Sequence, residues 1–119
     1  MTLVLRHMAL RLPRDLAGLR DRALLLLVAF GLSRREVVGL QAERLRWTED
    51  GVRVEGATDW APRLKRHDLC PCRALEDWLR ASGTRYGPVF RKVTRWGTVE
   101  PKPLGADAIG RILLRRRAF

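Results

Sequence analysis

Lysine, tyrosine, histidine and cysteine are scarce in this 119-residue chain, and long apolar runs are missing. The longest apolar stretch, Ala23 to Leu32, has ten residues, about half of a membrane span. It starts late and is flanked by Arg on both sides, so it reads neither as a span nor as a secretion signal. The only cysteines, Cys70 and Cys72, are too few and too close for a disulfide framework. A reducing compartment is therefore expected: cytoplasmic, nucleoid-associated, with no membrane partner. One Tyr (Tyr86) and two His (His7, His67) leave little for nucleophile-and-base chemistry. No Gly-rich phosphate-cradling loop, low-complexity tract or internal repeat occurs. Only three of the 24 cations are Lys (Lys65, Lys92, Lys102). Arg dominance suits phosphate and base-edge recognition, and a GC-rich genome gives the same bias.

What is present is a globular composition, 46% apolar and 31% charged, sized for one compact domain. The net charge is +11. An excess of that size calls for a densely anionic partner, nucleic acid ahead of anionic membrane. The charge is uneven. Residues 1–60 hold ten Arg against eight acids, and residues 61–119 hold eleven Arg and three Lys against five. The second half thus carries +9 of the total and should carry most of the basic surface.

Residues 1–13 alternate apolar and basic without a clear period and read as an N-terminal arm ending at Pro13. Residues 14–119 read as the domain. Asp15 or Asp21 starts a helix through Leu24, Leu25, Leu27, Val28 and Phe30 that is apolar nearly all round, hence central. Gly31 ends it. Ser33-Arg34-Arg35-Glu36 is a capping box opening a short helix to Leu40. Arg44–Thr48 and Val52–Glu55 alternate as strands around the Asp50-Gly51 turn. Arg63–Lys65 is a candidate third strand, which Pro62 confines to the edge. Pro71 opens a helix running through Leu75, Trp78 and Leu79 to Gly83. Gly87-Pro88-Val89-Phe90 crosses in extended or irregular form, and Arg91–Pro103 reads as a basic loop. A last helix spans about Ala106–Arg117, burying Ile109, Ile112 and Leu113 and exposing Arg111, Arg115 and Arg116. The fold class is α+β, mostly helical, with a small antiparallel sheet to one side.

Five pieces in this order resemble the catalytic domain of the tyrosine recombinases, the phage integrase family. They are Leu19-Arg20-Asp21-Arg22-Ala23-Leu24-Leu25, Phe30-Gly31-Leu32-Ser33-Arg34-Arg35-Glu36 with its continuation to Leu40, the Arg44–Glu55 hairpin, Cys70-Pro71-Cys72 with its helix, and Gly87-Pro88-Val89-Phe90 followed by Leu104-Gly105-Ala106-Asp107-Ala108-Ile109. The resemblance covers residues 14–119 and implies a tyrosine-recombinase-like core. It also implies strand cleavage by a Tyr nucleophile, with two Arg, a Lys and a His holding the scissile phosphate. Fixed guanidinium donors would stabilise the extra negative charge of the transition state.

The chain departs from that pattern. The family's first Arg follows Gly-Leu directly, and Ser33 stands there. Arg34 is the candidate substitute, but one position along a helix turns a side chain by about 100°. In Gly56-Ala57-Thr58-Asp59, Ala57 takes the place of the catalytic Lys, with Lys65 the nearest alternative. The His-x-x-Arg stretch and the Tyr nucleophile belong after the last helix and are not found, and Tyr86 is in the wrong loop. The chain reads as a decayed or truncated integrase, or one reused for binding. No catalytic residue is assigned.

The cations expected to face duplex DNA are Arg34, Arg35, Lys65, Arg66, Arg91, Lys92, Arg111, Arg115 and Arg116. The last helix is the main candidate, set against a solvated face whose Arg residues favour the helix C-terminus. Arg91, Lys92 and Arg95 near Trp96 mix charge with an aromatic, as single-strand clamps do. Phosphate contact is expected of these cations, and Trp96 is expected to fold back on the core. Trp47, Trp60 and Trp78 read as core or edge packing. His67, Cys70 and Cys72 lack an obvious fourth metal ligand, so no metal or cofactor is expected and the thiols read as semi-buried. Ser33 is a cap rather than a nucleophile. The expected function is DNA binding without cleavage by this chain alone. The alternatives are a partial recombinase completed in trans by another chain, and an interaction module whose C-terminal end is covered by a protein partner or by self-association.

Overall fold

The computed structural model describes residues 2–56 and 60–117. Among them five helices and two small antiparallel sheets make a mostly helical α+β fold. Helix α1 (Thr2–Leu10) packs on α2 (Leu16–Ala29), and α2 packs on α4 (Pro71–Ser82). The short helix α3 (Arg34–Val38) meets the last helix, α5 (Ala106–Arg117).

The segment read as an arm is helical and docked. Leu5, Ala9 and Leu12 are buried and Met8 packs beside them. These positions follow helical spacing, so burial on α2 decides the conformation where local pattern was weak. Of the two candidate caps for α2, Asp15 is the one used. Its Oδ1 accepts the Gly18 N–H at 2.8 Å, leaving Asp21 inside the helix. Leu24, Leu25, Leu26 and Leu27 are all sealed from solvent, as a helix apolar all round requires. The capping box is formed: the Glu36 N–H donates to Ser33 Oγ (3.1 Å) and the Ser33 N–H to Glu36 Oε1 (3.0 Å).

Strands β1 (Leu45–Trp47), β2 (Gly51–Val54) and β3 (Trp60–Pro62) form a meander in the order β1-β2-β3. The register pairs Leu45 with Val54 and Val52 with Ala61, placing these on one face. Arg46, Arg53 and Trp60 share the other, where Arg53 stacks on Trp60 at 5.1 Å and Arg46 pairs with Glu55. Gly51 is needed there, since a Cβ would lie 2.2 Å from the Ala61 carbonyl oxygen. The third strand lies three residues before the expected Arg63–Lys65. The Arg63 N–H turns back to the Asp50 carbonyl (2.8 Å), so pairing with β2 ends at Pro62. Lys65 therefore sits in a bend and not on a strand. The Ala57-Thr58-Asp59 stretch lies outside the described residues.

Pro71 opens α4 as expected, and Gly83 closes it in the left-handed conformation. Trp78 is fully buried and its indole donates to the Val89 carbonyl at 2.8 Å, fixing the extended Gly87–Phe90 crossing to α4. The expected loop 91–103 is instead a hairpin of β4 (Arg91–Val93) and β5 (Val99–Pro103).

Candidate nucleic-acid interface

Helix α5 buries Ile109 and Ile112, and the same stripe continues one turn on to Arg116. The Arg116 side chain is only 13% exposed, which corrects the expectation that it faces solvent. A cation on a buried stripe needs a counter-charge, and Asp21 on α2 supplies it. Arg116 Nε donates to Asp21 Oδ2 at 3.0 Å. Arg20 Nε donates to Oδ1 at 2.9 Å, and Arg115 Nη2 lies 3.6 Å from Oδ2. Arg20 Nη1 also donates to the Arg91 carbonyl at 3.3 Å. One fully buried carboxylate thus joins three guanidiniums, and through them α2, α5 and the base of the hairpin. Arg115 keeps 58% of its side chain in solvent and Arg111 is exposed, one turn earlier on the same face. Among the described side chains of α5, these two are the cations offered outward.

The hairpin presents its cations unequally. Arg91 is half-buried, with Nε donating to the Pro88 carbonyl at 3.3 Å, so it mainly braces the strand. Lys92 is exposed. Trp96 is 81% exposed at the tip with the Arg95 guanidinium over its ring at 4.9 Å, which overturns the expectation that it folds back. The turn that lifts it out is Thr94–Thr98, closed by Gly97 N–H to the Thr94 carbonyl (3.0 Å) and Thr94 N–H to the Thr98 carbonyl (2.8 Å).

Arg34 and Arg35 open α3 and are exposed. Arg34 Nη1 lies 3.6 Å from where a Cβ of Gly110 would stand, so it reaches α5. Arg34, Asp107 and Arg111 are the charged members of a groove of about 810 Å³ between α1, α2 and α5, otherwise lined by Val4, Leu5, Met8, Val28, Leu113 and Leu114 among others. Ser33, one residue earlier, is occupied as the cap.

Lys65 is exposed, but Arg66 is spoken for. It chelates Asp68 through Nε (2.8 Å) and Nη2 (3.1 Å), and this hydrogen bonding holds the Asp68 carboxyl below the usual carboxylate range. The stretch is tied to α2 by Arg22 Nη1, which donates to the Asp68 carbonyl at 3.3 Å. Burial, and then the nearby Arg14, push the Arg22 guanidinium below its ordinary pKa. The structure therefore links Arg91, Arg115 and Arg116 through Asp21 and Arg20, and places Arg34 with Arg111 in one groove. Among the described residues, Lys65 and Arg66 share no hydrogen-bond or ion-pair partner with either group.

No group of three or more His, Cys, Asp or Glu suited to a metal ion occurs among the described residues. Cys70 and Cys72 are fully buried, not semi-buried. Cys70 Sγ caps α4 by accepting the Arg73 N–H at 3.4 Å, and burial pushes the Cys72 thiol up to about 11. No helix among the described residues is long and apolar enough to cross a membrane.

Set against known proteins, the chain is 32% identical over 110 residues to an integrase/recombinase xerD homolog of Selenomonas ruminantium. That match takes in 82% of this chain and 32% of the relative, so the chain spans about a third of the relative's length. No protein-family profile matches the chain, and no solved structure matches it.

Proposed function

The chain belongs to the tyrosine recombinase family, and from that premise we propose that it is a recombinase-like core that binds duplex DNA and does not cleave it unaided. The observation that carries the proposal is a set of exposed cations, Arg34, Arg35 and Arg111, with no carboxylate partner among the described residues where α3 meets α5. Carboxylates elsewhere are taken up locally: Glu55 by Arg46, Glu76 by Arg63, Asp68 by Arg66, Asp77 by Arg14. Unpaired guanidiniums on rigid helices are suited to phosphate, and release of condensed counterions would supply the affinity. Arg115 and Lys92 extend the same surface, while Arg116 on Asp21 and the Arg91 carbonyl on Arg20 hold it in shape.

The absence of cleavage is supported by Ser33. A neutral hydroxyl engaged with the Glu36 N–H at 3.1 Å offers no guanidinium to a scissile phosphate. Losing one such donor costs about 10²–10³ in rate. Arg34, one position along, is turned about 100° around the helix from Ser33 and reaches towards Gly110 on α5.

The test is fluorescence anisotropy of a labelled random duplex over a salt series. Binding should weaken steeply with salt, and Arg34→Ala, Arg35→Ala or Arg111→Ala should each lower the log–log slope by about 0.9. Arg66→Ala should change it less. Absence of binding at low salt by folded protein would overturn the DNA reading, and a detergent-resistant DNA adduct would overturn the absence of cleavage. The apolar lining of the groove that also holds Arg34 and Arg111 favours a second reading, a protein partner or second copy over Val4 and Leu114, which are both exposed there. A monomer mass in solution, with and without DNA, would remove self-association.

A further inference from the structure

The β4–β5 hairpin has the make-up of a binding finger that duplex contact alone does not use. Residues 91–103 carry four cations (Arg91, Lys92, Arg95, Lys102) against one carboxylate, Glu100. At the tip a large aromatic is 81% exposed, in a molecule that buries Trp78 completely. Tyr86 is also exposed, at 77%, but Trp96 differs in standing on a hydrogen-bonded turn among cations, where desolvating the ring on a ligand is favourable.

The support is stiff at both ends. The tip is a tight turn in which Gly97 takes φ +81°, with the Thr98 N–H also bound to Thr94 Oγ1 at 3.1 Å. The base is held by the Leu104 N–H on the Phe90 carbonyl (2.9 Å) and by Arg20 on the Arg91 carbonyl (3.3 Å). A ring presented this way loses little freedom on binding. One face of the indole carries the Arg95 guanidinium at 4.9 Å, and with 81% of the residue exposed the other face is open.

We propose that the hairpin is a nucleobase-binding finger, in which the open face of Trp96 stacks on an unpaired base of DNA while Arg95 and Lys92 meet the flanking phosphates. A flat π-face inside a net-positive segment matches a ligand that alternates flat bases with negative charges. An intact duplex shows only base edges, so the partner of the ring is a base at a gap, bulge or single strand. The inference rests on the DNA reading above and names the form of DNA that this part of the surface selects.

The test compares wild type, Trp96→Ala, Trp96→Phe and Arg111→Ala on three labelled probes: an intact duplex, the same duplex with one unpaired base, and its single strand. Trp96→Ala should weaken the unpaired-base and single-strand probes about tenfold and leave the duplex within about twofold. Trp96→Phe should keep most of the affinity, and Arg111→Ala should weaken the duplex. Equal affinity of wild type and Trp96→Ala for the unpaired-base probe overturns the finger alone. So does an equal loss on all three probes, which would make Trp96 a general contact. Wild type that binds no probe overturns the finger together with the DNA reading.

Discussion

At the scale of single residues, Asp21 governs the arrangement. A carboxylate with no solvent exposure is met by Arg20 and Arg116 at hydrogen-bond distance and by Arg115 further out. Removing one member of a buried pair leaves the other charged and unsolvated, at a cost of about 3–5 kcal/mol. Asp21→Asn should therefore lower the unfolding free energy read from a urea titration by an amount in that range. Arg115→Ala, largely solvated, should cost under about 1 kcal/mol. If Asp21→Asn unfolds at the wild-type midpoint, the network does not hold α5 on α2. Cys72 gives a pH prediction. Its native pKa of about 11 lies above the ordinary 9.0, so the folded state disfavours the thiolate. The stability tied to this thiol is intact below about pH 9 and is lost as pH rises towards 11. Thiol-reactive reagents should label Cys72 slowly in folded protein at neutral pH and quickly in denaturant; fast labelling without denaturant would contradict its burial. Sequence showed Arg116 as one more helical cation, and only the fully buried Asp21 across from it explains why it turns inward.

At the scale of elements, local rules succeeded where one motif determined the outcome. The capping box at Ser33 and Glu36 and Pro71 at the start of α4 are each formed as their residues require, whereas the hairpin turn forms one residue earlier than Asp50-Gly51, at Glu49-Asp50, with Gly51 already in β2. Ser33→Ala should cost about 1 kcal/mol and Ser33→Asp should restore most of it. Thermal melts decide this, and an unchanged midpoint in the alanine variant would show that the cap is idle. The elements that resisted reading depend on contacts distant in sequence. Helix α1 had a usable signal in the spacing of Leu5, Met8, Ala9 and Leu12, obscured by the interspersed Arg6 and Arg11. Hairpin β4–β5 was concealed by Pro101 and Pro103, which read as loop because proline cannot donate to a ladder. The strands pair through Arg91 with Pro103 and Val93 with Val99, with a register shift between them. The signal that would have found it was Gly97 between Thr94 and Thr98, a turn of positive φ.

At the scale of the whole molecule, the charge of +11 acts on stability as well as on binding. Self-repulsion is screened within about 8 Å at physiological salt. The DNA-free protein should therefore melt higher as salt is raised from low concentration. Duplex DNA should raise the melting temperature further, and added salt should then erode that gain. The two trends have opposite sign, and a melting temperature that falls with salt in the absence of DNA would contradict net repulsion.

The sequence by itself determined the class of fold, the apolar helix at its centre, the basic second half and the family. Those follow from periodicity, composition and motif order, which need no partner to be read. It also marked Ser33 as a helix cap, since a cap is encoded by neighbours three residues apart. Only the tertiary structure decided which cations remain available. Arg116 is neutralised by Asp21, whereas Arg34 and Arg111 face one groove. It likewise decided that Trp96 stands in solvent. Pairing and exposure depend on which surfaces the chain brings together, and residues 95 apart, such as Asp21 and Arg116, leave no mark of their meeting in local sequence.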